Sequence, residues 1–513
     1  MSDAVVSTEG SQERELLGHP IGLSICFLTE MWERFSFYGM RAILVLYLTK
    51  HFLFNAGEAN LIYGAYLGMT YLLPILGGYF ADRYLGSRKA VVYGGLLLVL
   101  GHISLAFEGP TAQLIDGVVV RNENYLSIFY LSLALIITGV GFLKANISTV
   151  VGSLYGPTDP RRDGGFTIFY MGINIGSFLA TIIVAGVGEI YGWGYGFGLA
   201  GIGMLFGLMT FLWGQHLLEG RADPPNPEML AEKSSIGLNK EYTIYLIGVG
   251  LVGLMWVMLQ FQEIVGYMLD GTGIAMLAIL LAYGFTKCTK EERERIFVVM
   301  ILFIFMTVFW MLFEQQGASL TLIADQQIDR DLFGITVTAG QVQTLNPFFI
   351  VVLAPVFAMM WTRMGHAGIE PSTPAKFAIS LVLIGAGYLV FAWGMALDEG
   401  VDKSFIWMVE IYFFLTAAEL CLSPVGLSMV TKLSPARIVG MTMGTFFLFI
   451  AIGNYKAGWL SSLMGVDGHA SGGALDMDKT NQLFINVGAL SVGLGILLLL
   501  LTPWLKKRMH GVH

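Results

Sequence analysis

Fourteen apolar runs separated by short polar segments restrict this chain to one class of fold. About 20 apolar residues in a helix cross a bilayer. Only 13% of the 513 residues are charged and 55% are hydrophobic, whereas soluble proteins carry about 25% charged residues. The sequence therefore predicts an all-α polytopic membrane protein. The predicted spans are 21–54, 58–82, 89–108, 125–152, 165–188, 193–215, 242–262, 272–287, 296–323, 338–363, 375–397, 404–431, 437–464 and 482–505.

The first run contains four charged side chains, Glu30, Glu33, Arg34 and Arg41. At 100° per residue they fall on one stripe of a helix, together with Phe37. A charge at membrane depth costs at least about 2.5–3.5 kcal/mol unless it pairs or faces water. The stripe therefore predicts that the first helix faces a hydrated cavity and not lipid.

The placement of lysine and arginine predicts that both termini are cytoplasmic. The N-terminal segment contains no basic region before a cleavage site, so we expect the first helix to act as the insertion signal. Four cations lie at membrane depth, and most of the others fall in the segments that this orientation places inside. The outside segments hold only Lys50, Arg121, Arg330, Lys403 and Lys479.

The longest polar linker, about 216–241, divides the chain after six helices. Two helices follow it, and then six more. The segment 81–86 follows the second helix of the first six, and 361–365 follows the second helix of the last six as a faint echo. We expect two six-helix halves with a substrate site at their interface, a common transporter plan. The predicted segments are an N-terminal tail 1–20, a bundle 21–215, a linker with two additional helices 216–295, a bundle 296–505 and a C-terminal tail 506–513.

Two further charged residues lie deep in apolar runs. Lys144 is too far from its helix end to reach water comfortably. It is either paired for structure or a cationic partner for Glu30, Glu33 or a substrate carboxylate. Glu419 is either protonated and hydrogen-bonded for packing, or it binds an ammonium group or a proton, with burial and nearby cations acting in opposite directions on it.

Several other polar residues have two possible interpretations. Glu314 forms a gate salt bridge or lies at a solvated helix end. For Lys456 we expect only structural pairing. Asp82 and Arg83 follow two glycines, which let helices approach, so they either latch a cytoplasmic joint or begin a solvated loop. Five more helical side chains serve either packing or ligand contact: Tyr38, Tyr71, Asn174, Trp310 and Asn346.

Several function classes find no support in the sequence. A net charge of −8 provides no basic patch for nucleic acid. The three cysteines, Cys26, Cys288 and Cys421, are isolated and predict no disulfide framework. There is no HExxH, GxSxG or P-loop motif, and the histidines are scattered. We therefore expect no metal site and no enzymatic activity.

Five motif blocks resemble one family. The segment 30–39 reads EMWERFSFYG and resembles the ExxERFxYYG motif of the proton-coupled oligopeptide transporters of the major facilitator superfamily. The blocks 77–83, 169–177, 309–317 and 419–428 resemble further signatures of that family, in the correct order. The similarity extends from about residue 20 to about residue 505, and the two additional helices resemble the insertion of bacterial members.

The resemblance implies a major facilitator fold with two six-helix bundles and two inserted helices, fourteen transmembrane helices in all. It implies a symporter that imports di- and tripeptides by alternating access, with protons as the coupling ion and no cofactor. By the same resemblance we expect a bacterial inner membrane protein. We expect it to function as a monomer in the lipid bilayer.

The resemblance also assigns roles to individual residues. Proton coupling would involve Glu30, Glu33, Arg34, Lys144 and Glu419. Substrate binding would involve Arg41, Tyr38, Tyr71, Lys144, Asn174, Trp310, Asn346, Glu419 and Ser423, with Arg41 and Lys144 at the peptide carboxylate and Glu419 at its ammonium group. Gating would involve Asp82, Arg83 and Glu314.

The chain departs from the family pattern at two positions. Phe37 replaces a tyrosine and so lacks one hydroxyl group that could contact a peptide. Gly64 occupies the position of a proton-linked histidine found in animal and some bacterial members, so proton coupling would depend on the carboxylates.

Three alternatives to a peptide symporter stay open from the sequence. A transporter of the same fold could carry another anionic or amphoteric solute, such as nitrate or a drug-like molecule. A membrane-embedded enzyme would need a nucleophile–base pair or a metal cluster. A sensor would bind peptide without moving it.

Overall fold

The computed structural model describes residues 15–156, 158–235, 237–398, 402–466 and 473–511. Most of the predicted N-terminal tail and the last two residues lie outside these ranges. The helices in the described ranges are α1 (Gly22–Lys50), α2 (Ala56–Phe80), α3 (Gly86–Leu105), α4 (Glu123–Ser153), α5 (Arg162–Tyr191), α6 (Trp193–Gly214), α7 (Pro227–Ala231), α8 (Lys240–Met258), α9 (Gln262–Lys287), α10 (Lys290–Phe313), α11 (Ser319–Gln326), α12 (Leu345–His366), α13 (Thr373–Leu397), α14 (Ile406–Leu433), α15 (Val439–Ser462) and α16 (Met477–Arg508).

Each predicted span overlaps one long helix, so the fourteen-helix prediction is confirmed; the two short helices are α7 and α11. By length and composition alone, twelve segments of the described residues qualify as membrane spans. The difference has two causes. A π-helical turn, Ala81–Leu85, joins α2 to α3 so that they count as one segment, and the charges of α1 exclude that helix.

The described residues form three short antiparallel hairpins, one before α1 and two between later helices. They are β1 (Glu15–Leu16) with β2 (His19–Pro20), β3 (Gln113–Ile115) with β4 (Val118–Val120), and β5 (Asp331–Leu332) with β6 (Ile335–Thr336). Following the predicted orientation, we call the face that carries the last two hairpins the outer face and the opposite one the inner face.

Local sequence signals explain where several helices begin. Asn55 and Asn239 accept hydrogen bonds from backbone N–H groups three residues ahead, as N-cap residues do. Thr289 and Glu292 form a reciprocal capping box. That box starts α10 only two residues after the end of α9.

The long helices form two six-helix bundles. In the first, α1 packs against α5 and α6, and α3 packs against α4; in the second, α13 packs against α14 and α16. The bundles meet along α2 and α15, where Gly64 and Gly458 allow the backbones to approach closely. A Cβ atom on Gly64 would lie 2.8 Å from the Tyr455 carbonyl oxygen and 2.9 Å from Gly458 Cα. The exact domain boundaries stay predictions.

The inserted helices α8 and α9 form a hairpin that touches both bundles. On the first bundle, Trp256 of α8 donates a hydrogen bond to the Ser127 carbonyl oxygen (3.2 Å). On the second bundle, Lys456 forms a 2.6 Å ion pair with Asp270 of α9. The structural pairing expected for Lys456 is therefore confirmed.

Polar contacts between the bundles close the outer face. Lys50 pairs with Asp325 at 2.6 Å. The Glu189 carboxylate accepts hydrogen bonds from the backbone N–H groups of Ala339 (3.2 Å) and Gly340 (2.7 Å), just before α12. Toward the inner face, no residue of α12 from 351 to 366 is buried. The structure is therefore closed outside and open inside.

Candidate functional site

A cavity of about 300 Å³ lies between the two bundles, within the about 300–1,000 Å³ that small-molecule sites occupy. All of the predicted substrate-binding residues line it, so helices from both halves bring them together. Glu30, Arg34 and Glu314 line it as well, whereas Glu33 lies buried behind that surface. The predicted residues on its wall are Tyr38, Arg41, Tyr71, Lys144, Asn174, Trp310, Asn346, Glu419 and Ser423.

The α1 stripe forms a compact charged cluster beside the cavity. The Arg34 Nε atom lies 2.7 Å from Glu30 Oε1 and 2.8 Å from Glu33 Oε2. All three side chains are buried. Two carboxylates share one guanidinium group, so the cluster has more hydrogen-bond acceptor oxygens than Arg34 Nε can satisfy. Glu30 Oε2 and Glu33 Oε1 are buried and have no hydrogen-bond partner among the described residues.

Lys144 does not make the predicted direct contact with that cluster. Its ammonium nitrogen lies 3.7 Å above the centre of the Tyr71 ring, a cation–π geometry. In the described residues it makes no ion pair within 4.0 Å. Arg34 belongs to the same helix as both glutamates and already forms ion pairs with them. The ammonium group of Lys144 therefore stays at the cavity wall.

Arg41 crosses between the bundles to Glu314. Their Nη1 and Oε2 atoms are 3.1 Å apart and both side chains are almost fully buried. The solvated-end interpretation of Glu314 is therefore wrong, because the chain continues through a 3-10 turn, Glu314–Gly317, into α11. This buried pair of opposite charges joins α1 to the 3-10 turn that follows α10, below the outer closure.

Glu419 lies on the second bundle with a neutral partner. Asn346 donates hydrogen bonds to Glu419 Oε2 and to Thr416 Oγ1, both at 3.1 Å. No cation lies within 4.0 Å of Glu419 in the described part of the chain. The cavity therefore presents a carboxylate from one bundle opposite the cations Arg41 and Lys144 of the other.

The remaining predicted residues supply polar atoms to the wall. Trp310 Nε1 and Ser423 Oγ are buried and have no partner in the described chain, so they are available to a ligand. Asn174 already donates to the Tyr170 carbonyl oxygen at 3.0 Å. Tyr170 also lines the cavity, as does Gln316. Neither was predicted, although both lie inside the motif blocks 169–177 and 309–317.

Among the described residues, no ion pair or hydrogen bond joins the side chains of the predicted Asp82–Arg83 latch to the opposite bundle. Both side chains are exposed in the π-helical turn between α2 and α3. The Arg83 guanidinium lies 5.9 Å from the centre of the Tyr84 ring. A gating role for the pair stays a prediction.

The two departures from the family motif have structural explanations. Phe37 is buried against Tyr38 and Tyr66, so the missing hydroxyl lies behind the cavity wall. At position 64, a histidine side chain would collide with the backbone of α15. The close contact of α2 with α15 therefore requires glycine there.

Comparison with known proteins decides the family. The sequence profile of the POT family, PTR2, matches residues 88–472. The chain belongs to the POT family. It is therefore an integral membrane transporter and not an enzyme.

Similar POT proteins span nearly the whole chain. The peptide transporter YePEPT of Yersinia enterocolitica is 35% identical and covers 99% of this chain and 98% of its own. The di-/tripeptide transporter of Lactococcus lactis subsp. lactis is 36% identical over 85% of this chain and 88% of its own. The uncharacterized transporter YclF of Bacillus subtilis is 37% identical over 98% and 97%.

Solved POT structures have the same fold. A mutant of a peptide transporter POT in complex with alafosfalin has a TM-score of 0.83 and 35% identity, covering 97% of this chain and 98% of that one. A POT family transporter in complex with 5-aminolevulinic acid has a TM-score of 0.81 and 29% identity, with 96% and 98% coverage. The predicted major facilitator fold is therefore confirmed.

Proposed function

We propose that this POT protein is a proton-coupled symporter that imports di- and tripeptides by alternating access. The observation that carries the proposal is the charge arrangement of the cavity, with Glu419 on one bundle and Arg41 and Lys144 on the other. A zwitterionic peptide matches this arrangement, since its ammonium group suits the carboxylate and its carboxylate suits the cations. The names of similar transporters agree with a peptide substrate.

Substrate binding can drive closure of the inner side. A short peptide that contacts Glu419 and Arg41 at once connects the two bundles, so binding favours the state in which they lie closer together. A ligand shifts a conformational equilibrium only by its differential affinity for the two states. The bridging contacts provide that difference.

Protons act on the α1 cluster. Protonation of Glu30 or Glu33 removes one negative charge from the pair that holds Arg34. The guanidinium then interacts with the remaining carboxylate alone. A local charge change of this kind biases a two-state element. Protons are the only coupling ion in this scheme.

The proposal includes the cellular setting. The lysine and arginine distribution supports a cytoplasmic position for both termini, and we propose a bacterial inner membrane as the location. The cavity is complete within one chain, which supports function as a monomer.

Uptake into proteoliposomes tests the function. We expect radiolabelled dialanine to accumulate when an inward pH gradient is imposed and to stay outside without one. Unlabelled dipeptides should compete, whereas nitrate should not. Binding without accumulation would indicate a sensor, and loss of competition by dipeptides would indicate another solute.

Lys144→Ala tests the coupling assignment in the same assay. We expect exchange of dialanine between equal pools to continue at a reduced rate, and accumulation driven by the pH gradient to be lost. Full proton-driven accumulation by this variant would contradict the role of Lys144.

A further inference from the structure

A second, amphipathic groove lies outside the transport cavity, between α9, α10 and α16 near the inner face. It has a volume of about 220 Å³. Its depth is apolar, with Leu280 and Met300 among the lining residues, and its mouth holds Arg293 and Arg508. From Arg293 to Met300, α10 rises about 10 Å, so the groove extends from the membrane surface into one leaflet.

Both guanidinium groups are held at the mouth by aromatic rings. The Arg293 Cζ atom lies 5.0 Å from the centre of the Phe285 ring, and the Arg508 Cζ atom lies 4.0 Å from that of Trp504. Neither arginine forms an ion pair within 4.0 Å in the described residues. Glu294 is the one carboxylate among the described residues that line the groove, and it lies 2.7 Å from His510. The mouth therefore has a net positive charge.

Gly284 keeps the groove open. It lines the groove, and a Cβ atom there would meet only the Arg293 side chain, at 3.4 Å. A larger side chain at this position would extend into the space between α9 and α10. The apolar walls and the mouth are therefore separable by mutation.

We propose that this groove binds an anionic phospholipid of the inner-face leaflet, with its phosphate at Arg293 and Arg508 and an acyl chain along the apolar walls. Charge complementarity favours this occupant, because basic pockets between membrane helices bind anionic headgroups and each nearby cation strengthens the interaction. Arginine also suits phosphate better than lysine does, since its planar donors bind oxygen pairs. Trp504 lies one turn before Arg508 near the inner end of α16, and tryptophan is enriched at membrane interfaces.

Native mass spectrometry of the delipidated full-length protein tests the site without any transport assay. The probes are phosphatidylglycerol and phosphatidylcholine with identical acyl chains. We expect one phosphatidylglycerol to bind with clear preference over phosphatidylcholine. The double variant Arg293→Gln/Arg508→Gln should weaken phosphatidylglycerol binding by about 10-fold to 30-fold, from the contribution of about two surface cations, and change phosphatidylcholine binding little.

Two further variants separate charge from shape. Gly284→Leu should weaken binding of both lipids, because it fills the groove while both arginines are retained. The control Arg162→Gln/Arg363→Gln removes two exposed guanidinium groups elsewhere on the inner face and should change nothing. Arg293→Lys/Arg508→Lys should retain part of the preference and shows that the site folds.

Three results would overturn the proposal. The first is equal affinity of the unaltered protein for the two lipids. The second is an equal loss in the control and the groove double variant, which would indicate general surface charge. The third is displacement of phosphatidylglycerol by millimolar inorganic phosphate, which would indicate a site for the free anion.

Discussion

The Glu419 carboxylate accepts a hydrogen bond from the neutral amide of Asn346. The ammonium group of a bound peptide would give this carboxylate a cationic partner. We expect Glu419→Gln to weaken dipeptide binding by at least about tenfold, since a hydrogen bond to a charged group is worth about 1.5–3 kcal/mol. Competition for dialanine uptake or binding measures the change. Glu410 lies on the same helix outside the cavity, so Glu410→Gln is the matched control. Equal effects of the two substitutions would contradict the assignment.

Gly64 is a packing residue at the contact between the bundles. Gly64→Ala places a methyl group 2.8 Å from the Tyr455 carbonyl oxygen, and overpacking of this kind costs about 1–3 kcal/mol. We expect a lower unfolding midpoint in a thermal shift assay. On the same helix, a Cβ at Gly78 would meet only the Ala145 Cβ at 3.9 Å, so Gly78→Ala should leave the midpoint unchanged. An unchanged unfolding midpoint for Gly64→Ala would show that α2 and α15 can move apart without a loss of stability.

At the residue scale, helical geometry predicted part of the site. The angular positions of Glu30, Arg34 and Arg41 identified the stripe that faces the cavity, because a single helix fixes those directions. The same stripe included Phe37, which is buried behind the wall. The partner of Lys144 was not predictable, because the distance from α4 to α1 depends on the packing of several helices.

The outer closure is an interaction between elements, and Glu189 of α5 supports it through the backbone N–H groups that precede α12. We expect Glu189→Ala to open the outer face. Spin labels on cysteines introduced at Asp116 and Asp331, in the outer hairpins of the two bundles, should show longer distances by pulsed electron resonance, with Cys288 replaced by serine. Glu228→Ala in the inner linker is the control. If the distance between the two spin labels did not change, the outer face would be held closed by other contacts, such as the Lys50–Asp325 ion pair.

The pair of Asp270 and Lys456 fixes α9 to α15. A double-mutant cycle with Asp270→Asn and Lys456→Met measures their coupling, which we expect to be at least about 1 kcal/mol, within the range for residues in contact. Each single change leaves one ionisable group unpaired at membrane depth. The double variant should therefore lose less stability than the sum of the losses of the two single variants. The exposed pair of Lys240 and Glu232 should show less coupling, as surface pairs do. No coupling would mean that packing alone holds the hairpin.

At the element scale, the sequence predicted which segments form helices better than how far they extend. The eighth span was predicted as 272–287, whereas α9 begins ten residues earlier, at Gln262. The polar segment around Asp270 interrupts the apolar run. Its partner lies 186 positions away, so the compensation of that charge becomes visible only in three dimensions.

At the scale of the whole molecule, the sequence indicated two halves around a cavity but not the conformation. The inward-open arrangement follows from the contacts of Lys50, Arg41 and Glu189 on one side and from the unburied part of α12 on the other. These contacts join residues far apart in the chain, and a transporter must also occupy the opposite state. The sequence encodes both states.

The α8–α9 hairpin has a mechanical consequence. Its first helix is hydrogen-bonded to one bundle and its second helix is ion-paired to the other, so we expect rocking of the bundles to change the angle between the two helices. The three residues 259–261 that join the helices are the expected hinge. A pair of fluorophores on the two helices would report each cycle as a change in energy transfer, with no label near the peptide.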